Sequence, residues 1–177
     1  RRAADPRLGH PTTPQAPVLG TAIVRVFGLT AAVTGPSHAT LAAADVVHEQ
    51  VRVHAAHHAG PAPAPAPVHG TASVAPDRRR LGAQAVGRAG VDKRIDVLAT
   101  ALRAGLTADD LAELELAYAP PYGAAKDVVN MLGFVAQNVL DGTMPQWHAA
   151  DLDEVVARGL VLDVRSLAAP PRGLGGG

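Results

Sequence analysis

The sequence predicts an α+β domain in which an antiparallel sheet packs against helices. Three observations carry that class. β-Branched and alternating runs fill the first half of the chain, three- and four-residue apolar spacing fills the second, and the two never alternate as βαβ units would. The 177 residues suit one domain, and apolar residues make up 47%. Aromatics are few (Phe27, Tyr118, Tyr122, Phe134 and Trp147), so the core must come from Ala, Val and Leu, and modest stability is expected.

Residues 1–17 carry four prolines without apolar periodicity and read as an extended arm. TAIVRVFGLT, Thr21 to Thr30, is apolar on both faces and reads as a central strand. Ser37 is placed to cap a short helix reaching about Ala44. Val47, Val51 and Val53 then alternate with polar residues, the period of a strand with one wet face. Pro61, Pro63, Pro65 and Pro67 remove four backbone donors, which excludes an inner strand there. Thr71–Val74 and Leu81–Val86 flank Pro76-Asp77-Arg78-Arg79-Arg80 as a hairpin with a basic tip.

Ile95, Leu98, Ala99, Leu102 and Leu106 form one helical stripe, loosened at Gly105. Thr107 and Asp110 have capping-box spacing, and Leu111, Leu114 and Tyr118 continue that helix until Pro120-Pro121. Val128, Leu132, Val135 and Val139 mark a third helix ending at Gly142. One small Ala-rich sheet is not expected to cover all three, which leaves a surplus apolar helix face. Residues 143–150 read as a linker. Asp151 and Glu154 start a short helix stopped by Gly159, Leu160–Val164 reads as a buried strand, and the chain then runs into prolines and glycines. One helix and one strand bury no core, so residues 151–177 read as the start of a further module.

Charge and composition narrow the function. Sixteen basic residues balance sixteen acidic ones, without the basic footprint of a nucleic-acid binder. No stretch is long and apolar enough to span a bilayer, and no signal-peptide core follows Arg1-Arg2, so a cytoplasmic, membrane-free protein is expected. The absence of cysteine excludes disulfides, thiolate metal sites and cysteine nucleophiles within this chain. His48, His54, His57, His58 and His69 are close in sequence, and His54 with His58 could approach one zinc ion, but no carboxylate stands at ligand spacing and no metal site is expected. Arg78-Arg79-Arg80 could hold a phosphate, although a solvated turn is the commoner case. Gly82, Gly87 and Gly90 lack the dinucleotide-binding spacing.

Gly20–Gly35 (GTAIVRVFGLTAAVTG) and Gly82–Gly142 resemble the C-terminal dimerisation domain of the flavin-dependent pyridine nucleotide–disulfide oxidoreductases. The likeness is greatest to the coenzyme A-disulfide reductase and NADH oxidase branch, and it covers residues 18–142. Asp151–Ser166 resembles the opening of a rhodanese-like module. The resemblance implies a homodimer, with FAD and NAD(P)H bound by domains that precede this one in the parent protein. Alone, the chain is expected to bind neither cofactor and to catalyse nothing. It further implies that Tyr122 acts as an accessory catalytic aromatic near the partner's flavin and disulfide, with Tyr118, Lys126 and Asp127 beside it. Packing at a helix boundary is the alternative for Tyr122, and a charged pair in a first helical turn is the alternative for Lys126 and Asp127. The chain departs from the family pattern at Gly123 and Ala124, commonly Ser-Ser, at Val128, commonly Pro, and at Pro61–Ala64, where a Tyr-Tyr-Pro-Gly type loop is usual. The last change removes an expected phenol and is expected to weaken a sheet edge at Val68–Thr71. A free-standing, non-catalytic interaction module is the competing reading.

Overall fold

The run expected as one central strand folds back on itself. In the computed structural model, which describes residues 16–60 and 64–162, it forms β1 (Ala22–Val26) and β2 (Leu29–Thr34) around Phe27-Gly28. Phe27 and Gly28 have φ of 48° and 77°, the pair of positive values that lets a two-residue turn match the twist of its strands. Strand propensity is continuous through this segment, so periodicity alone could not expose the turn. β1 lies at the sheet edge, exposed along its whole length.

β3 (Glu49–Ala56), β4 (Pro67–Val74) and β5 (Arg80–Gly87) complete a sheet of order β1-β2-β5-β4-β3, antiparallel throughout. The alternation read from sequence holds in β3, where Val51 and Val53 are buried and Arg52 and His54 exposed, but Val47 precedes the strand. Val68–Thr71, expected at a weakened edge, belongs to inner strand β4. Pro67 is accommodated because it opens the strand, opposite Ala56, where a missing N–H costs little.

Helices cover one face. α2 (Val91–Arg103) and α4 (Val128–Leu140) place Ile95, Leu98, Val128 and Leu132 in one core with Val51, Val68, Val74 and Ala85. Small residues bring the layers together: a Cβ on Gly70 would lie 2.8 Å from Val128 Cγ1 and 3.3 Å from Leu132 Cδ1. α1 (His38–Ala43) is capped by Ser37 as its sequence implies. α2 stops at Arg103, where Gly105, at φ 73°, lets its own N–H reach Leu102 O and the Leu106 N–H reach Ala101 O. No side chain of α2 or α4 is among the exposed large hydrophobics. The surplus apolar surface expected on the helices lies instead on the β1–β2 hairpin, at Ile23, Val24, Val26, Phe27 and Leu29. The reason is that β1 is an edge strand exposed at every residue, so side chains on both of its faces lie open.

α3 (Ala108–Ala112) is much shorter than its apolar spacing suggests. The carbonyls of Leu111, Ala112 and Leu114 accept the side-chain amide of Asn130 at 3.1, 3.3 and 2.9 Å, so α4 stabilises an end there and residues 114–119 run without helix. Its start is as read: the Thr107 backbone N–H and hydroxyl donate to Asp110 Oδ2 at 2.6 and 2.7 Å, and the Asp110 N–H donates to Thr107 Oγ1. Those bonds, the backbone one first, hold the Asp110 carboxyl below its ordinary 3.8. A depressed carboxyl contributes stability that is complete above the unfolded value and lost as pH falls through the folded one. Asp110→Asn is therefore expected to flatten the stability–pH curve on the acid side of 3.8 in urea titrations, with little change of slope at neutral pH.

The chain divides into two units, Arg1–Met144 and Pro145–Gly177, each taken by itself. In the second, α5 (Leu152–Arg158) follows a single 3-10 turn, Ala149–Asp151, and ends at Gly159. Leu160–Leu162, expected to begin a buried strand, is irregular and exposed, and no described residue of this unit forms a strand beside it. The remainder of that expected strand lies outside the described residues, as do most of the N-terminal arm and Pro61–Pro63. No helix among the described residues is long and apolar enough to cross a membrane.

Candidate functional site

The segment from Glu113 to Asp127 joins α3 to α4, and its anchoring begins with a buried charge. Arg94, 2% exposed, sits on the apolar stripe of α2. Its guanidinium donates to both carboxylate oxygens of Asp127, Nε to Oδ1 at 3.1 Å and Nη2 to Oδ2 at 2.5 Å. It also donates to His57 O at 2.6 Å and Gly90 O at 3.1 Å. Asp127 is also the N-cap of α4, accepting the Val129 N–H at 3.2 Å. One ion pair thus ties the loop after β3, the start of α2 and the start of α4 together, with every strong donor and acceptor satisfied.

The loop between is fixed at further points. Ala119 O accepts the N–H groups of Tyr122 and Gly123, closing a turn around Pro120-Pro121, and Gly123 O accepts the Ala59 N–H at 2.8 Å. Lys93 Nζ lies 3.5 Å from Ala117 O, and Lys126 stands 5.0 Å above the ring of Phe134. The prolines hold φ, so the flanking phenols have little freedom of direction. Tyr118 is 52% exposed and Tyr122 74% exposed. Neither hydroxyl has a hydrogen-bond partner among the described residues. Such an arrangement leaves both phenols open to solvent, each able to donate a hydrogen bond.

Of the residues singled out from sequence, Tyr118, Tyr122 and Lys126 therefore face solvent, whereas Asp127 is buried and committed to Arg94 and the cap. Arg94 and Asn130 are the residues that sequence reading missed. The available signal was an arginine at a stripe position, one turn from Leu98 and beside Ile95.

The basic tip is no free cationic surface. Arg78 pairs with Asp109 at 2.9 Å and with Asp141, Arg79 pairs with Asp77 at 2.6 Å, and Arg80 donates to Leu106 O at 2.9 and 2.8 Å. Burial pushes the Arg80 guanidinium down to about 10, which leaves it cationic at neutral pH. The histidines also have separate assignments. His54 and His69 pair across β3 and β4, the ring of His58 lies against His57, and His57 Nδ1 accepts the Ala66 N–H at 2.8 Å. No group of three ligating side chains suited to a metal ion occurs among the described residues.

No family model matches the chain. It is 43% identical over 122 residues to coenzyme A disulfide reductase of Staphylococcus haemolyticus, covering 68% of this chain and 27% of that protein. The chain thus spans about a quarter of the length of the curated relatives it matches. The crystal structure of reduced Bacillus anthracis CoADR-RHD superposes with a TM-score of 0.83 at 43% identity, over 88% of this chain and 28% of that one. The NAD-dependent persulfide reductase of A. fulgidus gives 0.68 at 41% identity, over 71% and 24%. The antiparallel α+β architecture and these relatives agree: the chain is homologous to the C-terminal region of coenzyme A disulfide reductases, among the pyridine nucleotide–disulfide oxidoreductases.

Proposed function

We propose that this chain is the dimer-forming domain of an FAD- and NAD(P)H-dependent disulfide reductase of the coenzyme A-disulfide reductase and NADH oxidase type. In that reading Tyr122 stands beside the flavin and disulfide of a second subunit. The supporting observation is the loop itself: two exposed phenols on a segment tied down by a buried ion pair, with no hydroxyl partner among the described residues. Ordering such a loop costs entropy, and the cost is met before a ligand arrives, which favours positioning over simple packing. Bound FAD would pass the hydride equivalent onward. This chain's own part is a Tyr122 O–H that donates a hydrogen bond to charge developing on sulfur. The exposed apolar side chains of the β1–β2 hairpin, Ile23, Val24, Val26, Phe27 and Leu29, are the surface proposed to meet a second copy.

Residues 151–177 are proposed as the opening of a rhodanese-like module. Supporting this, the match to the B. anthracis protein covers 88% of 177 residues, more than the first unit's 144 can supply.

The test uses the complete reductase that carries this domain. Size-exclusion chromatography with light scattering is expected to give a dimer for both the parent and Tyr122→Phe. The variant is expected to lose about a hundredfold in kcat on its disulfide substrate, as loss of one positioned donor would. A monomer at high concentration, or unchanged turnover, would overturn the reading.

A further inference from the structure

We propose that the cleft between β1 and the start of α2 binds an organic phosphate monoester, a phosphoryl group on an apolar body, through Arg25 and Arg88. The fold makes the cleft. Register puts Arg25 opposite Thr30 and Thr30 opposite Gly87, so this row lies on the helix-covered face of the sheet, with Ile23 and the buried Ala32. α2 packs on β2 and β5, and it begins over the β5 end of that row: a Cβ on Gly87 would stand 3.2 Å from Val91 Cγ2. β1 extends beyond the helix. An open space of about 370 Å³ is left there, lined by Ile23, Arg25, Thr30, Arg88, Val91 and Asp92 among others.

Two features point to an anion. The first is the lack of partners. Each of the seven other arginines among the described residues donates to a carboxylate or to an amide carbonyl. Arg25 and Arg88 alone donate to nothing, and the half-buried Thr30 hydroxyl beside them has no partner either. The second is convergence. Arg25 stands on β1 and Arg88 follows the end of β5, yet both line one cleft. Arg88 Nη1 reaches back to the β1–β2 turn, 3.6 Å from the place of a Cβ on Gly28.

The chemistry selects the ligand. Two forked guanidiniums and a hydroxyl supply donors that suit the several oxygens of a phosphoryl group. Asp92 is the one carboxylate on the lining, so the cleft keeps a positive field. Ile23 and Val91 form an apolar wall for the organic part. Val24, Val26 and Leu29 project from the opposite face, so the site is open whether or not a second copy covers them.

The full chain is titrated with phenyl phosphate and followed by proton–nitrogen NMR of the backbone and arginine side chains, with calorimetry for affinity. Shifts are expected first at Arg25, Thr30, Arg88 and Val91. Arg25→Gln and Arg88→Gln are each expected to weaken binding about tenfold, and Arg25→Lys by less, since it keeps the charge and loses the fork. Arg52→Gln, exposed on the opposite face, is expected to change nothing. Both cleft variants are expected to keep the parent Tm, because neither arginine has an internal bond to lose. Inorganic phosphate and benzoate are each expected to bind more weakly than phenyl phosphate. Undetectable binding, an equal loss in Arg52→Gln (an adventitious ion only), or a lowered Tm in both cleft variants would overturn the site. Benzoate binding as tightly as phenyl phosphate would overturn the phosphoryl assignment, and inorganic phosphate doing so would overturn the apolar wall.

Discussion

Arg94→Met is expected to lower the unfolding free energy by about 3–5 kcal/mol, because it strands a carboxylate in the interior. The two side chains are 2% and 4% exposed, which puts the pair in the regime where removing one partner is costly and not in that of a surface bridge. The lost guanidinium also leaves His57 O and Gly90 O without their donor. Arg94→Met combined with Asp127→Asn is expected to recover a large part of the loss, since no buried charge is then left alone and asparagine still caps α4. Urea unfolding of the two single variants and the double measures this directly. A cost under about 1 kcal/mol for Arg94→Met would mean that solvent reaches the pair. Hydrogen exchange at Ala59 supplies the local readout, because its N–H holds Gly123 O and reports whether the tyrosine loop stays docked.

Gly133→Ala should destabilise the fold, by about 1–3 kcal/mol, although the substitution improves helix propensity by nearly 1 kcal/mol. An added Cβ would stand 2.4 Å from Ala112 N, 2.8 Å from Ala108 O and 2.9 Å from Ala112 Cα. All three are backbone atoms of α3, so no side chain can swing away, and the helices must separate. Separation pulls Asn130 from the carbonyls that end α3. Thermal melting distinguishes the two effects by sign: a lower Tm follows from close packing, and a higher Tm would show that propensity dominates and that α3 does not rest on this glycine.

The tyrosine loop illustrates how far residue order reaches. Pro120-Pro121 announces a stiff break after apolar helical spacing, and resemblance draws attention to Tyr118, Tyr122, Lys126 and Asp127. What the order of residues does not disclose is the division of labour among them. Asp127 lies inside with Arg94, while the phenols and Lys126 lie outside. That division depends on α2 and α4 starting side by side, and their first residues are 37 positions apart in the chain.

Local chemistry made the α+β class, the Ser37 and Thr107 caps, the β3 alternation and the extent of α4 readable before any coordinates. Each of these rests on neighbours within a turn or a strand pair. Tertiary structure settled the rest. β1 became an edge because a two-residue turn cut a continuous strand pattern, α3 ended early because Asn130 took its carbonyls, and the histidines paired with distant partners instead of converging. The turn is a local event hidden inside a continuous strand pattern, whereas the Asn130 bonds and the histidine pairs join residues 10 to 19 positions apart, and periodicity carries no record of either.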